Sequence, residues 1–275
     1  MKYKIMNVLN NNVVIIETDN GRQFIFIGSG VGFKEKKGNA FSAFDRVDQS
    51  FEIKDSINQK NFTEMVTKEN PSIVAFTEEK IGQIQHAILD ELNESIHITL
   101  PDHLAFALER SKNGMGFHNP YNYSISLMYK EEYDLAKMVV SEFNEQFDAN
   151  LNDDEIGIVA MHIHAAKKHV SLSEQRRKAS LCSELIDDIM KVFPIDGSND
   201  TLNYQRLLTH VSFAIERIRN NESADNEILD LIKEKYSNEF CILKKITDEF
   251  ARKNELQISD SEVSYLVLYI KRLMN

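Results

Sequence analysis

The sequence contains little cysteine, proline or glycine and no tryptophan: two Cys, four Pro and ten Gly occur in 275 residues. Two cysteines argue against a disulfide scaffold and against a cysteine-based zinc site. The sequence also lacks any run of about 18 apolar residues, and its opening MKYKIMNV passes directly into polar NNN. Neither a membrane span nor a secretory signal peptide is predicted, and we expect a soluble cytoplasmic protein.

The length and the charge distribution suggest more than one domain. At about 150 residues per domain the chain predicts two domains, and 42% hydrophobic residues exclude a disordered chain. The net charge of −11 argues against a nucleic-acid partner, because phosphates are bound by positive surfaces. Residues 1–60, however, hold nine Lys/Arg and seven Asp/Glu, a net charge of +2, whereas residues 61–275 hold 23 and 36, a net charge of −13. The acidic character therefore belongs to the second part of the chain.

Residues 1–60 are predicted to form a small β domain. Apolar and polar residues alternate loosely, which predicts strands over Tyr3–Val8, Val13–Glu17, Gln23–Ile27 and Ser50–Lys54. Asp19–Gly21 (DNG) predicts a hairpin turn between the second and third strands, since Asn and Gly tolerate positive φ. A segment of this length buries little apolar surface, so we expect the domain to dimerise or to pack on the residues that follow it.

From about residue 65 the spacing of apolar residues becomes helical. Apolar positions three and four residues apart predict helices over Phe76–Leu92, Asp102–Arg110, Tyr133–Phe147 and Glu155–Ala166. The acidic residues at positions 153–155 fit the positive end of a helix dipole and predict a helix start there.

The helical region contains an internal repeat. HLAFALER at His103–Arg110 matches HVSFAIER at His210–Arg217, an offset of 107 in the numbering. The same offset aligns three further pairs: Tyr129 with Tyr236, Lys137 with Lys244, and Phe143 with Phe250. This register predicts two homologous domains, 65–170 and 175–275, with a linker in Lys167–Lys178. The expected fold class is α+β multidomain, a small antiparallel β-sheet domain followed by two homologous all-α helical-bundle domains.

The histidines are the side chains best suited to chemistry near neutral pH. His103 recurs as His210, which favours a shared role, although maintenance of the fold would also explain it. His162 corresponds to Tyr269, so the two domains are not expected to be chemically equivalent. A neutral imidazole can accept a phosphoryl group and thereby gain about −1.5 to −2 charges.

Metal binding and conventional catalysis are weaker alternatives. His103, His162 and His164 with Asp102 and Glu155 could in principle bind a metal ion. The rings of His162 and His164 point about 200° apart on a helix, however, and cannot easily share one ion. The sequence shows no Walker-type glycine loop, Ser/His/Asp order or Cys/His pair. A phosphorylated regulator fits better than an enzyme, and no cofactor is predicted.

A second cluster of interest lies in the β domain, in Asn10–Asn12 and Gly28–Lys34, with Lys36 and Lys37 nearby. Asparagine amides can pair with base edges, glycines allow close backbone approach, Phe33 offers a stacking surface and lysines can contact phosphates. A tight turn, a bulge and a core position for Phe33 explain the same residues, and composition alone favours that structural interpretation.

Six motifs occur together in one order along the chain: VLNNNV (Val8–Val13), GSGVGF (Gly28–Phe33), TLPDH (Thr99–His103), DEIG (Asp154–Gly157), AMHIH (Ala160–His164) and TH (Thr209–His210). In this combination the whole chain resembles the BglG/SacY-type transcriptional antiterminators of the bacterial sugar phosphotransferase system. The strings MHIHA and HxxFAIER are most similar to the glucose-specific subgroup.

The resemblance implies a co-antiterminator RNA-binding domain in residues 1–60, working as a homodimer of four-stranded sheets, followed by two phosphotransferase regulation domains. It implies that the protein binds an mRNA leader hairpin and prevents a terminator from forming. Antitermination would be regulated by histidine phosphorylation, carried out by proteins of the phosphotransferase system. A sugar-specific transporter subunit is the first candidate donor, and the phosphocarrier protein is the second. The predicted RNA-binding residues are Asn12, Gly28, Ser29, Gly30, Phe33 and Lys34. The predicted phosphorylation sites are His103, His162 and His210.

The chain departs from the family pattern at three positions. Ser29 and Asn7 stand where members often carry basic residues, so RNA affinity is expected to depend more on the lysines Lys4, Lys34, Lys36 and Lys37. Tyr269 replaces the family's fourth histidine, which puts phospho-activation through the second domain in question. The alternative function is a DNA-binding activator with the same regulatory repeats, which would need a helix-turn-helix in residues 1–60.

Overall fold

The structure is a computed structural model that describes residues 3–88, 90–193, 201–220, 222 and 224–274. The chain forms two compact units. The first comprises Met1–Asn119 with Glu131–Leu172, and the second comprises Pro120–Lys130 with Ser173–Asn275. A short segment between residues 120 and 130 therefore belongs to the second unit, although the chain on both sides of it belongs to the first.

The N-terminal residues form the predicted antiparallel sheet, in the order β1-β2-β3-β4. Its strands are β1 Tyr3–Val8, β2 Val13–Thr18, β3 Gln23–Ile27 and β4 Gln49–Ile53. The predicted hairpin joins β2 to β3, where Gly21 takes a φ of +76° that a glycine adopts without strain. Four strands in this segment confirm the β prediction, and the described residues 3–55 contain no helix-turn-helix.

Eleven α-helices are described after the sheet. They are α1 Ser56–Lys68, α2 Pro71–Ile88, α3 Ile96–Lys112, α4 Asn122–Met128, α5 Lys130–Phe147, α6 Asp153–Lys168, α7 Leu172–Val192, α8 Thr201–Arg219, α9 Leu229–Lys235, α10 Ser237–Asn254 and α11 Asp260–Leu273. The helices confirm the repeat, because α9, α10 and α11 begin at the positions that match the starts of α4, α5 and α6 in the repeat register. Of the helices in the described residues, not one has the length and hydropathy needed to cross a bilayer.

Several helix boundaries differ from the prediction for local reasons. Helix α1 begins at Ser56, well before the predicted onset, because the Asp55 side chain caps it by accepting hydrogen bonds from the amides of Ile57 and Asn58. Helix α3 begins at Ile96 and includes Pro101, a residue that removes one backbone donor and usually marks a boundary. The predicted linker is helical over most of its length, with only residues 169–171 between α6 and α7.

Both faces of the sheet are covered by the chain itself. Ile15 packs on one face against Phe62 of α1 and Val74 of α2. On the other face Val31 and Phe41, from the connection between β3 and β4, complete a second apolar core. Each large apolar side chain buried in this way stabilises the fold by about 1.5–3 kcal/mol. The β domain thus packs on the helices that follow it, as its small size predicted.

Candidate functional site

The predicted RNA-binding residues lie together because the β1–β2 turn contacts the segment after β3. The Asn12 carbonyl accepts a hydrogen bond from the Gly28 amide at 3.0 Å, and its side-chain Oδ1 accepts one from the Gly30 amide at 3.2 Å. The Asn11 carbonyl accepts a third, from the Gly32 amide at 2.9 Å. Asn12 therefore shapes the surface by holding the glycine segment in place.

Two glycines in this segment have no room for a side chain. A Cβ at Gly28 would lie 1.8 Å from the carbonyl oxygen of Arg46, and a Cβ at Gly32 would lie 2.2 Å from that of Asn10. Both neighbours are backbone atoms, which cannot move away as a flexible side chain would. Gly30 takes a φ of +73°, a conformation that other residues rarely adopt. Gly28 is itself buried, so its contribution is to the shape of the loop.

The side chains that point outward from this segment are Ser29, Phe33 and Lys34. Phe33 is 51% exposed, which makes its interpretation as a core residue wrong. The Lys34 ammonium lies 5.2 Å from the centroid of the Phe33 ring. An exposed aromatic ring beside a cation suits a nucleic acid, because a base can stack on the ring while a phosphate meets the charge.

Helix α2 approaches the same surface. The Asn10 side-chain amide donates to the Glu79 carboxylate at 3.0 Å, and the Gln49 amide donates to the Gly82 carbonyl at 3.2 Å. A cleft of about 510 Å³ lies between the two elements. Its lining includes residues of the β domain, Asn12, Gly28, Ser29 and Asp48, and residues of α2, Glu79, Gln83 and His86. The predicted RNA-binding surface therefore carries an acidic neighbour from the first helical repeat.

In the first repeat His103 of α3 and His162 of α6 lie side by side. Their ring centroids are 5.1 Å apart. His103 Nε2 lies 3.1 Å from Glu155 Oε2, and the other oxygen of Glu155 pairs with Arg110. His162 Nδ1 lies 3.1 Å from the Thr99 hydroxyl. The packing of α3 against α6 thus brings the TLPDH, DEIG and AMHIH motifs to one nearly buried site.

The remaining members of the metal-site alternative lie elsewhere. Asp102 is exposed and its carboxylate is 3.7 Å from the Lys68 ammonium. His164 Nδ1 lies 3.1 Å from Glu132 Oε1. Burial opposes ionisation of Glu132, but the hydrogen bond from His164 and the charge of Lys167 outweigh it and lower its pKa to about 2. Within the described part of the chain, no three His, Cys, Asp or Glu side chains are arranged to hold a metal ion.

The second repeat builds a matching site around His210. Its Nε2 lies 3.6 Å from Glu262 Oε2, and Arg217 donates two hydrogen bonds to Glu262, at 2.8 and 2.9 Å. The Tyr269 ring takes the position of His162, with its centroid 4.8 Å from that of His210. Burial, with a smaller contribution from the positive charge of Arg217, lowers the pKa of His210 to about 4. His210 is therefore neutral at pH 7.

The domain composition now decides the family. The CAT RNA binding domain family matches residues 3–60, and the PRD domain family matches residues 78–166 and 183–273. The chain belongs to the BglG/SacY-type antiterminators. The β domain is the CAT domain, and the two helical repeats correspond to the first and second PRD.

Individual relatives agree with this assignment. The chain is 27% identical over 274 residues to the transcription antiterminator LicT of Bacillus subtilis (strain 168), covering 98% of this chain and 99% of LicT. It is 28% identical over 278 residues to the protein GlcT of Staphylococcus saprophyticus subsp. saprophyticus, covering 99% and 97%. A crystal structure of GlcT CAT-PRDI matches with a TM-score of 0.52 and 34% identity, over 61% of this chain and 99% of that one.

The arginines of the two PRD sites were not among the predicted site residues. Arg110 and Arg217 each neutralise a glutamate that is 2% exposed, Glu155 and Glu262 respectively. The matching strings HLAFALER and HVSFAIER both end in these arginines. Their recurrence in the repeat was the signal in the sequence that pointed to them as site residues. Each arginine lies two helical turns after its histidine, on the same helix face and within reach of the same carboxylate.

Proposed function

We propose that this protein is a sugar-responsive antiterminator that binds an mRNA leader hairpin, prevents a terminator from forming, and is controlled by histidine phosphorylation from the sugar phosphotransferase system. The observation that supports it most is the presence, in one chain, of an outward Phe33–Lys34 pair and two buried His–Glu–Arg sites. Membership of the antiterminator family supports the same function.

RNA recognition is proposed to use the surface built by Asn12, Gly28 and Gly30. Phe33 stacks on an unpaired base of the hairpin, and Lys34 meets a neighbouring phosphate. Ser29, exposed at the tip of the segment, donates or accepts a hydrogen bond. The asparagine and glycines give the loop its shape, and the outward side chains make the contacts.

Phosphorylation is proposed at His103 and His162, and at His210 in the second PRD. The lone pair of an imidazole nitrogen attacks the phosphorus of a phosphorylated donor protein. The bond between donor and phosphorus breaks, its electron pair returns to the donor, and a new N–P bond forms. At His103 the added charge of about −2 faces the carboxylate of Glu155, and the resulting repulsion favours a rearrangement in which Arg110 pairs with the phosphoryl group.

The proposed assembly is a cytoplasmic homodimer whose partners are the leader RNA and the phosphotransferase proteins. Phe106 and Phe213, at matching positions of the two PRDs, are 57% and 56% exposed, and exposed aromatic side chains are typical of protein interfaces. The histidines accept a phosphoryl group from another protein, so no enzymatic turnover is assigned to this chain. Charge at the PRD sites would change how strongly the subunits associate.

The test combines RNA binding with removal of the acceptor histidines. A gel shift against candidate leader hairpins, with and without phosphotransfer proteins, should show hairpin binding that the phosphotransfer proteins weaken. The double variant His103→Ala, His162→Ala should antiterminate without sugar. His169→Asn is the control, because His169 is exposed at the end of α6 with a φ of +53° that asparagine tolerates. Full sugar dependence in the double variant, or preferential binding of duplex DNA, would contradict the proposal.

A further inference from the structure

The helix that carries the first histidine of each PRD also contacts the element that precedes that PRD. In the first unit the ring of His97, on α3, lies 4.8 Å from the ring of Phe51 on strand β4. The next residue, Ile98, packs into the apolar core beneath the sheet. These two neighbouring positions therefore fix the CAT domain to the first PRD.

The matching positions of the second PRD are used in the same way. Tyr204 matches His97 in the repeat register, and its ring stacks on Tyr123 of α4 with centroids 5.8 Å apart. Gln205, which matches Ile98, donates from its side-chain amide to the Leu127 carbonyl at 3.4 Å. The partner is a strand of the CAT domain in one case and helix α4 of the first repeat in the other.

Helix α4 is held in the second unit by several further contacts. Leu127 and Met128 pack against the apolar core of that unit. Three polar pairs join the ends and the middle of the segment to α7, namely Tyr121 with Ser180 at 3.1 Å, Ser124 with Ser183 at 3.2 Å and Tyr129 with Gln175 at 3.2 Å. The matching helix α9 instead contacts α10 and α11 of its own repeat. Helix α4 is thus a segment of the first repeat that is built into the second unit.

The segment that leads into α4 contacts the first histidine site. The Arg110 guanidinium lies 4.6 Å from the centroid of the Phe117 ring. The Phe117 carbonyl accepts a hydrogen bond from the Asn152 side chain at 2.9 Å, and His118 Nδ1 lies 3.1 Å from Asp154 Oδ2. The residues just before α4 therefore contact both the partner of Glu155 and the start of the helix that carries it.

We propose that α4 is the coupling element of the two PRDs, docked on the second unit at Tyr204 and connected through Phe117 to the Arg110–Glu155 pair of the first. A charge change at His103 moves Arg110, the residues before α4 follow, and the strength of α4 docking changes. Each PRD would thus sense the upstream element at one shared helix position, occupied by His97 or Tyr204.

Hydrogen exchange on the full chain tests the docking without reference to RNA or phosphorylation. Tyr123 is 52% exposed, so Tyr123→Ala should fold, and it should increase exchange at least tenfold in 122–128 and in α8 around Tyr204. Leu231→Ala is the matched control, since Leu231 is 58% exposed on α9 at the position that matches Ser124. It should leave exchange in α4 unchanged.

A second variant tests whether α4 belongs to the first or to the second unit. Phe143, on α5, is fully buried in the first unit. Because Phe143 packs on Phe76 of α2, Phe143→Ala should increase exchange in α2 and α5, while α4 should stay as protected as α7 and α8. If α4 instead loses protection together with α2 and α5, or if Tyr123→Ala leaves α8 unchanged, the proposal is overturned.

The last part of the test uses phosphorylation, and it therefore rests on the proposed function. In the chain without substitutions, phosphorylation of the first PRD should increase hydrogen exchange in 122–128 by at least threefold, and exchange in α8 should change with it. In Tyr123→Ala, exchange in α8 should no longer respond to phosphorylation. A phosphorylated first PRD with no change in α4 exchange would overturn the coupling. A chain whose RNA binding ignores phosphorylation, but whose α4 responds to it, would instead overturn the proposed function alone.

Discussion

The first and the second PRD place a histidine, a glutamate and an arginine at matching positions of the repeat. In both, the arginine neutralises a buried glutamate that also faces the histidine. The difference lies in the fourth position, where His103 faces His162 and His210 faces Tyr269. The His–Glu–Arg trio is therefore common to both PRDs, and the fourth side chain decides whether the site contains a second imidazole.

A second pair of positions shows the same division between structure and chemistry. Glu132 near the start of α5 contacts His164 of α6, and the matching Glu239 of α10 contacts Lys271 of α11 at 3.0 Å. The carboxylate is retained, but its partner is an imidazole in one PRD and an ammonium in the other. The first PRD thus has an imidazole at a position where the second PRD has an ammonium group.

The largest expected effect comes from removing the arginine of either site. Arg110→Ala should lower the free energy of unfolding of its unit by about 3–5 kcal/mol, because it leaves the buried Glu155 without its cationic partner. Arg217→Ala should cost somewhat less, since Arg217 has 29% of its side chain exposed against 14% for Arg110. Urea denaturation of the full chain measures both.

Arg219→Ala is the control for these variants. Its partner Glu174 is 3.8 Å away and half-exposed, so the loss should be about 0–1 kcal/mol. Equal losses in all three variants would mean that the buried His–Glu–Arg trio is no more important to the fold than a surface ion pair.

The second largest effect should be a dependence of the free energy of unfolding on pH, and we expect this dependence to come from His210. Its folded pKa of about 4 lies below the unfolded value of 6.5, so between these values the unfolded chain binds more protons than the folded one. Its contribution, about 3 kcal/mol, is complete above pH 6.5 and is lost as the pH falls from 6.5 to 4. Stability curves of the unmodified chain and of His210→Gln, compared over that window, measure it.

The pH range from 6.5 to 4 separates the contribution of His210 from that of the carboxylate Glu132. Glu132 has a pKa of about 2, so its own contribution is lost only as the pH falls below about 4.5. If His210→Gln shows the same slope between pH 6.5 and 4 as the unmodified chain, the slope does not come from His210.

Exchanging the fourth side chain should convert one site into the other with little change in stability. Tyr269→His should give the second PRD a histidine pair and add up to one phosphoryl group per chain in a phosphotransfer reaction. His162→Tyr should remove one from the first PRD. Mass spectrometry of the intact protein counts the groups. If Tyr269→His adds none, then access by the donor, and not the absent histidine, limits the second PRD.

The smallest predicted effect concerns the CAT domain. Glu79→Gln removes the charge beside Asn10 and should raise RNA affinity about three- to tenfold, roughly 1 kcal/mol, because phosphates no longer approach a carboxylate. Glu64→Gln, on a side chain that is 67% exposed, is the control and should change affinity less. RNA titrations at two salt concentrations measure the difference. Equal effects of the two variants would assign the gain to net charge alone.

Strands and repeated helices could be predicted from the sequence because they depend on local pattern. Tyr3–Val8 and Gln23–Ile27 have the predicted bounds, since both show alternating polarity and Gln23–Ile27 also follows a turn that glycine favours. The predicted start of α3 at Asp102 was wrong, because a proline such as Pro101 normally marks a helix boundary. Here α3 packs against α6, and Pro101 lies buried within the helix. Local preference was overridden by tertiary packing.

Contacts between distant segments could not be predicted in the same way. The register of the repeat predicts that α4 behaves like α9, yet α4 packs on α8 while α9 packs on α10 and α11. The approach of Glu79 to Asn10 joins residues 69 positions apart and depends on how α2 lies on the sheet. A single sequence states which residues are apolar, but not which of several apolar surfaces each helix covers.

The crowding around Gly28 and Gly32 has an evolutionary consequence. At both positions a methyl group would collide with a backbone carbonyl, so the loop that presents Phe33 can diverge at neither without losing its shape. Differences in RNA preference between related chains are therefore expected at outward positions such as Ser29, where a new side chain would leave the loop intact.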